Sequence, residues 1–348
     1  QAATQVGYHA QTFATFPSQI MGGPTWTQAR IAVDPVLSAG DDVDVLVAFN
    51  QDAYDEHNSE VRDEGVIIFN SNEFQLEGDS RGFGLPFDEI ARSTGNNRAA
   101  NMVIIGALAH LVDMPQQYLE EFVTKRFTRG RSGDEEIIRS NIQAMTLGRE
   151  HISESGLALG ALAAPNPPDF AQVMLKGNEA LALGALAGGL DFYVGYPISP
   201  ATTILLYMER NLVGEGKFAH QVSSEIESIT AILGAGFAGK KAMTATAGPG
   251  FSLMSEGLGL GWIAEIPLVV VDVQRGGPAT GLPTKTEQSD LMACMFPAHG
   301  DVKMPIIAVG TVEECFYGAI KALTWSERYQ GPVILMTEMA LAERVQNI

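Results

Sequence analysis

Cysteine is scarce in this chain, whose 348 residues include only Cys294 and Cys315. The two are far apart and form no Cys-x-x-Cys pair, so the chain cannot by itself supply the thiolate ligands of an iron–sulfur cluster. A disulfide framework is excluded for the same reason, which is typical of proteins of a reducing compartment. We therefore predict that both cysteines are apolar packing residues and that the protein is cytoplasmic.

Basic residues are few: 22 Lys and Arg stand against 41 Asp and Glu, which gives a formal net charge of −19. A nucleic-acid surface needs clustered Lys and Arg to neutralise phosphates, so we exclude nucleic acid as a partner. A basic electron carrier or a basic partner subunit is compatible with this acidity, although an acidic surface often serves solubility alone.

Long apolar runs are missing as well. No stretch approaches the roughly 18 uninterrupted apolar residues of a transmembrane helix, so we predict no membrane span. No signal peptide is recognisable. The sequence opens without Met inside a helical pattern, and we expect its native start to be missing.

The composition that is present favours an α/β protein, because 46% of the residues are hydrophobic and 37 are Gly. Short apolar runs alternate with helical patterns in two blocks on either side of a Pro-rich stretch. We predict an incomplete Rossmann-like domain at 1–163, a stiff linker at 164–170, and a second domain with a buried parallel sheet at 171–348.

Individual elements follow from the same patterns. A capping box of Ser132 and Glu135 predicts the start of a long helix that runs towards Ile152. Leu253 and Met254 are expected in the core of a helix. Strands are predicted at 43–49, 65–70, 192–196, 242–246, 268–273, 306–309 and 333–336, and helices at 1–6, 101–111, 177–189, 202–211 and 225–239.

The segment at 273–288 is the most informative, because it begins where the apolar run 266–273 ends and holds three Gly and two Pro. Ligands of parallel sheets bind at the carboxyl ends of strands, and Gly and Pro there allow close approach and a fixed shape. The planar guanidinium of Arg275 at the strand tip suits a carboxylate. We therefore predict a pocket for a small carboxylic acid.

Glu225 opens a helix with few charges and precedes, by about 25 residues, the Gly-Pro-Gly turn at 248–250. This arrangement resembles the pyrimidine-binding domain of thiamine diphosphate enzymes, which implies that Glu225 hydrogen-bonds a ring nitrogen of the aminopyrimidine and drives formation of the cofactor carbanion. The alternative is a glutamate that only satisfies the helix dipole. Glu227, about 200° away around the helix, is expected to face water.

Three motifs together resemble the α subunit of 2-oxoacid:ferredoxin oxidoreductases: Tyr-Pro-Ile-Ser-Pro at 196–200, the segment 244–254, and the segment 274–288. Ser199 replaces the Thr usual in the family and keeps the hydroxyl. Residues 1–160 resemble the family's γ domain, fused in front as in 2-oxoglutarate enzymes, with the segment 16–24 as the matching motif.

The resemblance assigns roles within this chain. It implies Glu225 as the catalytic residue and predicts no metal ligand here. Ser199 is expected to hydrogen-bond the 2-oxo acid and Arg275 to hold its C1 carboxylate, with Lys285 as a candidate for a second carboxylate. The expected cofactor-binding residues are Tyr196, Pro197, Gly248 and Gly250. His299 is a weaker candidate for the cofactor pocket.

The resemblance also implies partners. The chain has no Gly-Asp-Gly motif followed by Asn, so the diphosphate, Mg²⁺ and a [4Fe–4S] cluster are expected on a β subunit. The implied reaction converts 2-oxoglutarate and coenzyme A to succinyl-CoA and CO₂ with reduction of ferredoxin, in a dimer of heterodimers. Pyruvate or a branched-chain 2-oxo acid is the alternative substrate. A different thiamine diphosphate enzyme class and a scaffold without catalysis stay open.

Overall fold

The computed structural model describes residues 1–17, 22–167 and 169–348. It separates into two compact units. The first unit comprises Gln1–Ala10 and Arg30–Ala171, and the second comprises Gln11–Ala29 and Gln172–Ile348. Residues 11–29, which the sequence places in the first domain, group with the second unit, so the domain limits at 163 and 171 stay a prediction. Residues 18–21 of the predicted γ-domain motif and Pro168 of the linker lie outside the described residues.

The first unit contains a parallel three-stranded sheet in the order β3-β4-β5. Its core is formed by residues such as Ile68, Phe87, Val103 and Ile152, contributed by the sheet and by the helices after it. Strands β1 (His9–Thr15) and β2 (Trp26–Ala32) have residues in both units. The elements of the first unit are α1 (Ala2–Val6), β3 (Val43–Ala48), α2 (Gln51–His57), a 3₁₀ helix (Asn58–Glu60), β4 (Val61–Asn70), β5 (Gly82–Leu85), α3 (Phe87–Ser93), α4 (Ala100–Leu111), α5 (Gln116–Phe127) and α6 (Asp134–Ser155).

The predicted capping box at the start of α6 is wrong. The helix begins at Asp134, and Gly133 occupies the N-cap position with φ 112° and no side-chain hydrogen bond. The Asp134 carboxylate instead accepts hydrogen bonds from the backbone N–H groups of Arg131 and Arg129, which lowers the pKa of Asp134. The backbone N–H groups of the preceding turn are therefore satisfied by a side chain of the helix itself, and Ser132 makes no capping hydrogen bond.

The second unit is built on a six-stranded sheet in the order β11-β12-β10-β9-β7-β8, and every neighbouring pair is parallel. The predicted α/β class with a parallel sheet is confirmed. Its elements are β6 (Met174–Lys176), α7 (Gly177–Ala187), β7 (Phe192–Gly195), α8 (Thr202–Asn211), β8 (Phe218–Gln221), α9 (Glu225–Phe237), β9 (Ala242–Thr246), α10 (Gly248–Ser252), α11 (Ser255–Ile263), β10 (Leu268–Gln274), α12 (Leu291–Met295), β11 (Ile306–Ala308), α13 (Val312–Tyr329), β12 (Pro332–Glu338), α14 (Met339–Glu343) and β13 (Val345–Asn347).

Strand β10 shows how the sheet is buried on both faces. Val269, Val271 and Val273 pack into one core with α7, α8 and α13, whereas Leu268 and Val270 pack into the other with α9 and α11. Side chains alternate along a strand, so position 272 shares the face of positions 268 and 270. The residue at this position is an aspartate, in a strand whose other side chains are apolar until its last residue.

Six of the strands that the structure describes were not anticipated from the sequence: β1, β2, β5, β6, β8 and β13. Strand β8 is short and largely exposed, and β1, β13 and β6 pair antiparallel with partners that are distant along the chain. Periodicity in so few residues carries little information, and pairing of this kind depends on tertiary contacts.

Among the described residues, no helix is both long enough and apolar enough to cross a lipid bilayer.

Candidate functional site

Three segments that follow parallel strands converge at one edge of the second sheet: residues 196–200 after β7, 247–250 after β9, and 275–290 after β10. The carboxyl ends of parallel strands lie at the same edge, so this is where a ligand site is expected. Ser199 and Arg275 do not follow adjacent strands, because β9 lies between β7 and β10. The long Arg275 side chain spans that gap.

Arg275 is almost completely buried, with 6% of its surface exposed. Its Nη1 donates to the carbonyl oxygen of Ser199 at 2.7 Å, and its Nη2 donates to that of Thr280 at 3.0 Å. Among the described residues its buried Nε has no hydrogen-bond partner. Burial lowers the pKa of Arg275, while the charge of Glu225 acts in the opposite direction. Two of the five N–H groups are thus committed to the protein, which leaves donors for a carboxylate.

The Gly/Pro-rich loop, residues 276–289, is held in shape by its own backbone. Gly276 N–H donates to Lys285 O at 2.8 Å, and Leu282 N–H returns a bond to Gly276 O at 2.9 Å. The Glu287 carboxylate accepts from Gly277 N–H at 2.8 Å. Gly281 has φ 57°, and a Cβ there would overlap the Gly276 carbonyl. The loop that contacts Arg275 is therefore ordered by sequence-specific turns.

Lys285 contributes its carbonyl oxygen to this loop, and its side chain is exposed. Within the described ranges no contact joins its ammonium group to Arg275. Its assignment to a second substrate carboxylate stays a prediction.

Glu225 is buried at the start of α9, with 6% of its surface exposed. The helix start is capped by other residues: Ser224 Oγ accepts from Glu227 N–H, and Glu227 Oε2 accepts from Ser223 N–H at 2.8 Å and from Ser223 Oγ at 2.6 Å. These bonds lower the pKa of Glu227, which is exposed as predicted. Capping therefore does not explain the burial of Glu225.

The Glu225 carboxylate lies against the Gly-Pro-Gly turn. A Cβ atom at Gly250 would stand 2.5 Å from Glu225 Oε1 and would also overlap Thr246 Oγ1. Among the described residues the Glu225 carboxylate has no hydrogen-bond partner. The structure thus brings together Glu225 and the turn that lies about 25 residues further along the chain, and Gly250 leaves the carboxylate room.

Segment 196–200 is held in place by Asn178, a residue at the start of α7 that is 1% exposed. Its Nδ2 donates to Pro200 O at 2.9 Å and to Thr203 Oγ1 at 2.7 Å. Ser199 is exposed, and its hydroxyl makes no hydrogen bond within the described part of the chain. Tyr196 is 40% exposed at the same edge. The sequence did not identify Asn178, because nothing local marks it.

Asp272 and Asp290 are a second pair that sequence reasoning missed. Asp272 is fully buried, and its Oδ2 lies 3.5 Å from Cys294 Sγ, which donates to it. Burial, and then the charge of Asp290, raises the pKa of Asp272 to about 8. The Asp290 carboxylate lies against the Gly-Pro-Gly turn, 2.7 Å from where a Cβ of Gly248 would be. One acidic residue inside the apolar run 266–273 was the available signal.

Of the remaining sequence predictions, some are confirmed, one is wrong and one stays a prediction. Cys294, Cys315 and Met254 are fully buried, as predicted. Leu253 is 52% exposed, so its assignment to the core is wrong: it lies at the C-cap position of the five-residue helix α10. His299 is exposed, and its assignment to the cofactor pocket stays a prediction.

Comparison with known proteins gives two family models. Residues 183–348 match "Pyruvate flavodoxin/ferredoxin oxidoreductase, thiamine diP-bdg", a thiamine diphosphate-binding domain, and residues 1–151 match "Pyruvate ferredoxin/flavodoxin oxidoreductase". The parallel sheet of the second unit is thus that of a thiamine diphosphate-binding domain, preceded by a γ-like domain.

Individual relatives agree with the family models. The chain is 33% identical over 376 residues to the 2-oxoglutarate oxidoreductase subunit KorA of Mycobacterium tuberculosis, covering 98% of this chain and 56% of the relative. It is 46% identical over 164 residues to the 2-oxoglutarate synthase subunit KorA of Methanocaldococcus jannaschii, covering 47% of this chain and 45% of the relative.

A solved structure covers the whole chain. The 2-oxoglutarate:ferredoxin oxidoreductase from Magnetococcus marinus, with 2-oxoglutarate, coenzyme A and succinyl-CoA bound, superposes with a TM-score of 0.93 at 36% identity. The alignment covers 100% of this chain and 61% of that one. The chain spans between about half and three fifths of the length of the relatives that it matches.

Proposed function

This chain belongs to the 2-oxoacid:ferredoxin oxidoreductase family, and on that premise we propose that it forms the aminopyrimidine site and the substrate clamp of such an enzyme. The observation that carries the proposal is the burial of Glu225 against the Gly-Pro-Gly turn, without a protein partner among the described residues and without a capping role. A scaffold that had lost its chemistry would have no reason to keep this carboxylate buried.

The residues at this edge fit the pyrimidine end of thiamine diphosphate. A buried carboxylate needs a hydrogen-bonding partner, and a ring nitrogen at the Glu225 carboxylate would provide one. Gly250 leaves open the space that a side chain would fill. Gly248 and Gly250 would approach the ring through their backbone, and Tyr196 and Pro197 lie at the same edge. When bound, the cofactor supplies the nucleophilic carbon that cleaves a 2-oxo acid between C1 and C2.

The protein itself contributes a side chain that transfers a proton and side chains that position the substrate. Glu225 holds or accepts a proton at the ring nitrogen as a positioned general acid–base group. Arg275 holds the C1 carboxylate through donors that Ser199 O and Thr280 O leave free. The hydroxyl of Ser199, an exposed residue at the same edge, hydrogen-bonds the 2-oxo group. Together they fix the substrate's C1–C2 bond in one orientation.

The substrate that we propose is 2-oxoglutarate, converted with coenzyme A to succinyl-CoA and CO₂ while ferredoxin accepts electrons. Two features support this choice: the relatives named above carry 2-oxoglutarate in their names, and the 36% identical structure contains 2-oxoglutarate and succinyl-CoA. Pyruvate or a branched-chain 2-oxo acid is the second candidate. Lys285 is the residue of the Gly/Pro-rich loop that would meet a second carboxylate.

Partners complete the proposal. The diphosphate, Mg²⁺ and a [4Fe–4S] cluster would belong to a β subunit, and two αβ pairs would assemble into a dimer of heterodimers in the cytoplasm. The two cysteines are buried and separate, and among the described residues no cluster of metal-binding side chains occurs.

A substrate panel on the complex with its β partner tests the proposal. We expect coenzyme A-dependent reduction of a one-electron dye with 2-oxoglutarate, and kcat/KM at least about tenfold higher than with pyruvate, because a second carboxylate adds a charge-assisted contact. A preference for pyruvate would reassign the substrate. Transfer to a lipoamide acceptor without dye reduction would reassign the enzyme class.

A further inference from the structure

Two buried carboxylate oxygens at the edge of the site have no donor. Asp272 Oδ1 and Asp290 Oδ2 are both inaccessible to water and without a hydrogen-bond partner among the described residues. The other side of Asp272 is occupied by Cys294 Sγ at 3.5 Å. A buried acceptor without a donor is destabilising by about 1–3 kcal/mol, so two neighbouring ones need an explanation.

A single proton between the two carboxyl groups supplies the missing donor. The carboxyl groups of Asp272 and Asp290 lie within hydrogen-bonding range: Asp290 raises the pKa of Asp272, whereas the hydrogen bond with Asp272 lowers the pKa of Asp290, as expected when Asp272 holds the proton. When two acids share a buried site, one of them keeps its proton well above the usual range. Burial is the largest cause of the raised pKa in both residues.

The pair joins three parts of the site. Asp272 is in β10, next to Thr246 of β9 in register. Asp290 follows the Gly/Pro-rich loop, its backbone N–H donates to Gln274 Oε1 at 3.0 Å, and its carboxylate lies against Gly248. A bond between the two carboxyl groups therefore ties the end of the loop to the sheet and to the Gly-Pro-Gly turn.

We propose that Asp272 and Asp290 share one proton, and that this pair is a positioning element that fastens the end of the Gly/Pro-rich loop beside the aminopyrimidine site. The assignment of that neighbouring site rests on the proposed function, whereas the proton and the fastening do not. Loss of the proton leaves two charges in a site without a countercharge, and the loop end detaches from β10.

The surroundings of the pair contain no compensating cation in the part of the chain that the structure describes. The titratable groups that face it are Cys294 from α12 and Glu287 from the loop. Burial and the charge of Asp272 raise the pKa of Cys294, so its thiol stays neutral, and Glu287 adds negative charge. Strands β9 and β12 contribute Thr246 and Met336 beside Asp272, and neither titrates.

The sign of the pH effect follows from the raised pKa. The folded protein holds the proton more tightly than the unfolded chain, in which Asp272 has its ordinary value of 3.8. The contribution of the pair is therefore complete at low pH, declines above the unfolded value, and is lost as the pH passes about 8.

Hydrogen–deuterium exchange of peptides covering 276–290, corrected for the chemical exchange rate and measured on the complex with its β partner between pH 6 and 9.5, tests the proposal. In the wild type we expect protection to fall by about tenfold per pH unit as the pH rises towards about 8, the pKa of Asp272, and to level off above it. In Asp272→Asn the amide donates to Asp290 in place of the proton, so protection stays constant. Asp301→Asn, at an exposed aspartate, is the matched control and keeps the wild-type profile.

Infrared spectroscopy of the wild type gives a second readout that does not depend on how well a variant folds. We expect the carbonyl band of a protonated carboxylic acid at neutral pH. The band should disappear near pH 8, where the fall in loop protection ends, and should be missing in Asp272→Asn. A wild type without this band, or an Asn variant whose loop protection keeps the wild-type pH dependence, would overturn the proposal. Neither measurement uses turnover, so a failure here is separate from a failure of the proposed enzyme activity.

Discussion

At the scale of single residues, Arg275 serves two purposes with one guanidinium group. Its terminal nitrogens hold the carbonyls of Ser199 and Thr280, and the remaining donors are those proposed for the substrate carboxylate. The sequence predicted an arginine at a strand tip whose guanidinium binds a carboxylate. The structure shows a residue that also fixes segment 196–200 and the Gly/Pro-rich loop, which makes it less replaceable than its charge alone implies.

Arg275→Lys is therefore expected to be a damaging substitution. Lysine keeps the charge and loses the planar fork, and a charge-assisted hydrogen bond contributes about 1.5–3 kcal/mol, so kcat/KM for the 2-oxo acid should fall by roughly 10- to 150-fold. Cofactor affinity should stay unchanged. Steady-state kinetics and cofactor titration of the complex measure both quantities.

Arg210→Lys, an exposed arginine of α8, is the matched control and should keep wild-type kinetics. Arg275→Ala should be worse than the lysine variant, because Ser199 O and Thr280 O would also lose their donors. If cofactor binding fell in step with activity, Arg275 would be a structural residue and the clamp would have to be sought at Lys285 or on the partner subunit.

At the scale of the elements, the sequence located most of what surrounds the site. Strand β9 has the predicted bounds, and β10 exceeds its prediction by one residue, because continuous apolar runs between Gly and Pro signals mark strands buried on both faces. The motif resemblance supplied Ser199 and Arg275. It could not supply the order of the strands, which places β9 between the two residues.

Residues that act through tertiary contacts could not be predicted from the sequence. Asn178 and the partners it binds, Pro200 and Thr203, are more than 20 positions apart along the chain, and no periodicity connects them. Asp272 was visible as one acid in an apolar run, but its partner Asp290 was not. The error at Ser132 arose because a Ser-x-x-Glu pattern is only a local signal: the helix begins at Asp134 with Gly133 at its N-cap, and no side chain caps it there.

Asn178→Asp tests whether the anchor below segment 196–200 matters for the substrate. The carboxylate is isosteric and cannot donate to Pro200 O, and a lost buried donor costs about 1–3 kcal/mol, so kcat/KM for the 2-oxo acid should fall by roughly 5- to 150-fold. We expect the loss mainly in KM, since Ser199 and the Arg275 contact shift with the segment. Thermal unfolding of the same variant separates this from general destabilisation.

The control for Asn178 is Asn211→Asp on α8, which removes a comparable side-chain bond, to Tyr207 O, at an exposed position. It should leave KM at the wild-type value. An Asn178→Asp enzyme with unchanged KM and reduced thermal stability would make Asn178 a purely structural residue.

At the scale of the whole molecule, we propose that this chain carries only some of the functional groups of the enzyme. Its two cysteines are buried apart from each other, and its formal net charge of −19 suits a basic partner. We expect the chain expressed alone to be colourless and inactive, and to gain a broad visible absorbance and activity when it is co-expressed with its β partner. Visible spectra and dye reduction of both preparations measure this. A brown, active preparation of the chain alone would contradict the division of labour.

The central claim is that this chain supplies the carboxylate that activates the cofactor, and hydrogen–deuterium exchange at the thiazolium C2 of bound thiamine diphosphate tests it most directly. The complex with Glu225→Gln should bind the cofactor as the wild type does and exchange roughly 10²- to 10⁴-fold more slowly, because the amide cannot share a proton with the ring. Glu227→Gln, at the exposed glutamate two residues further on, should exchange at the wild-type rate. Exchange in the Glu225→Gln complex at the wild-type rate would contradict the claim and assign the proton transfer to another residue.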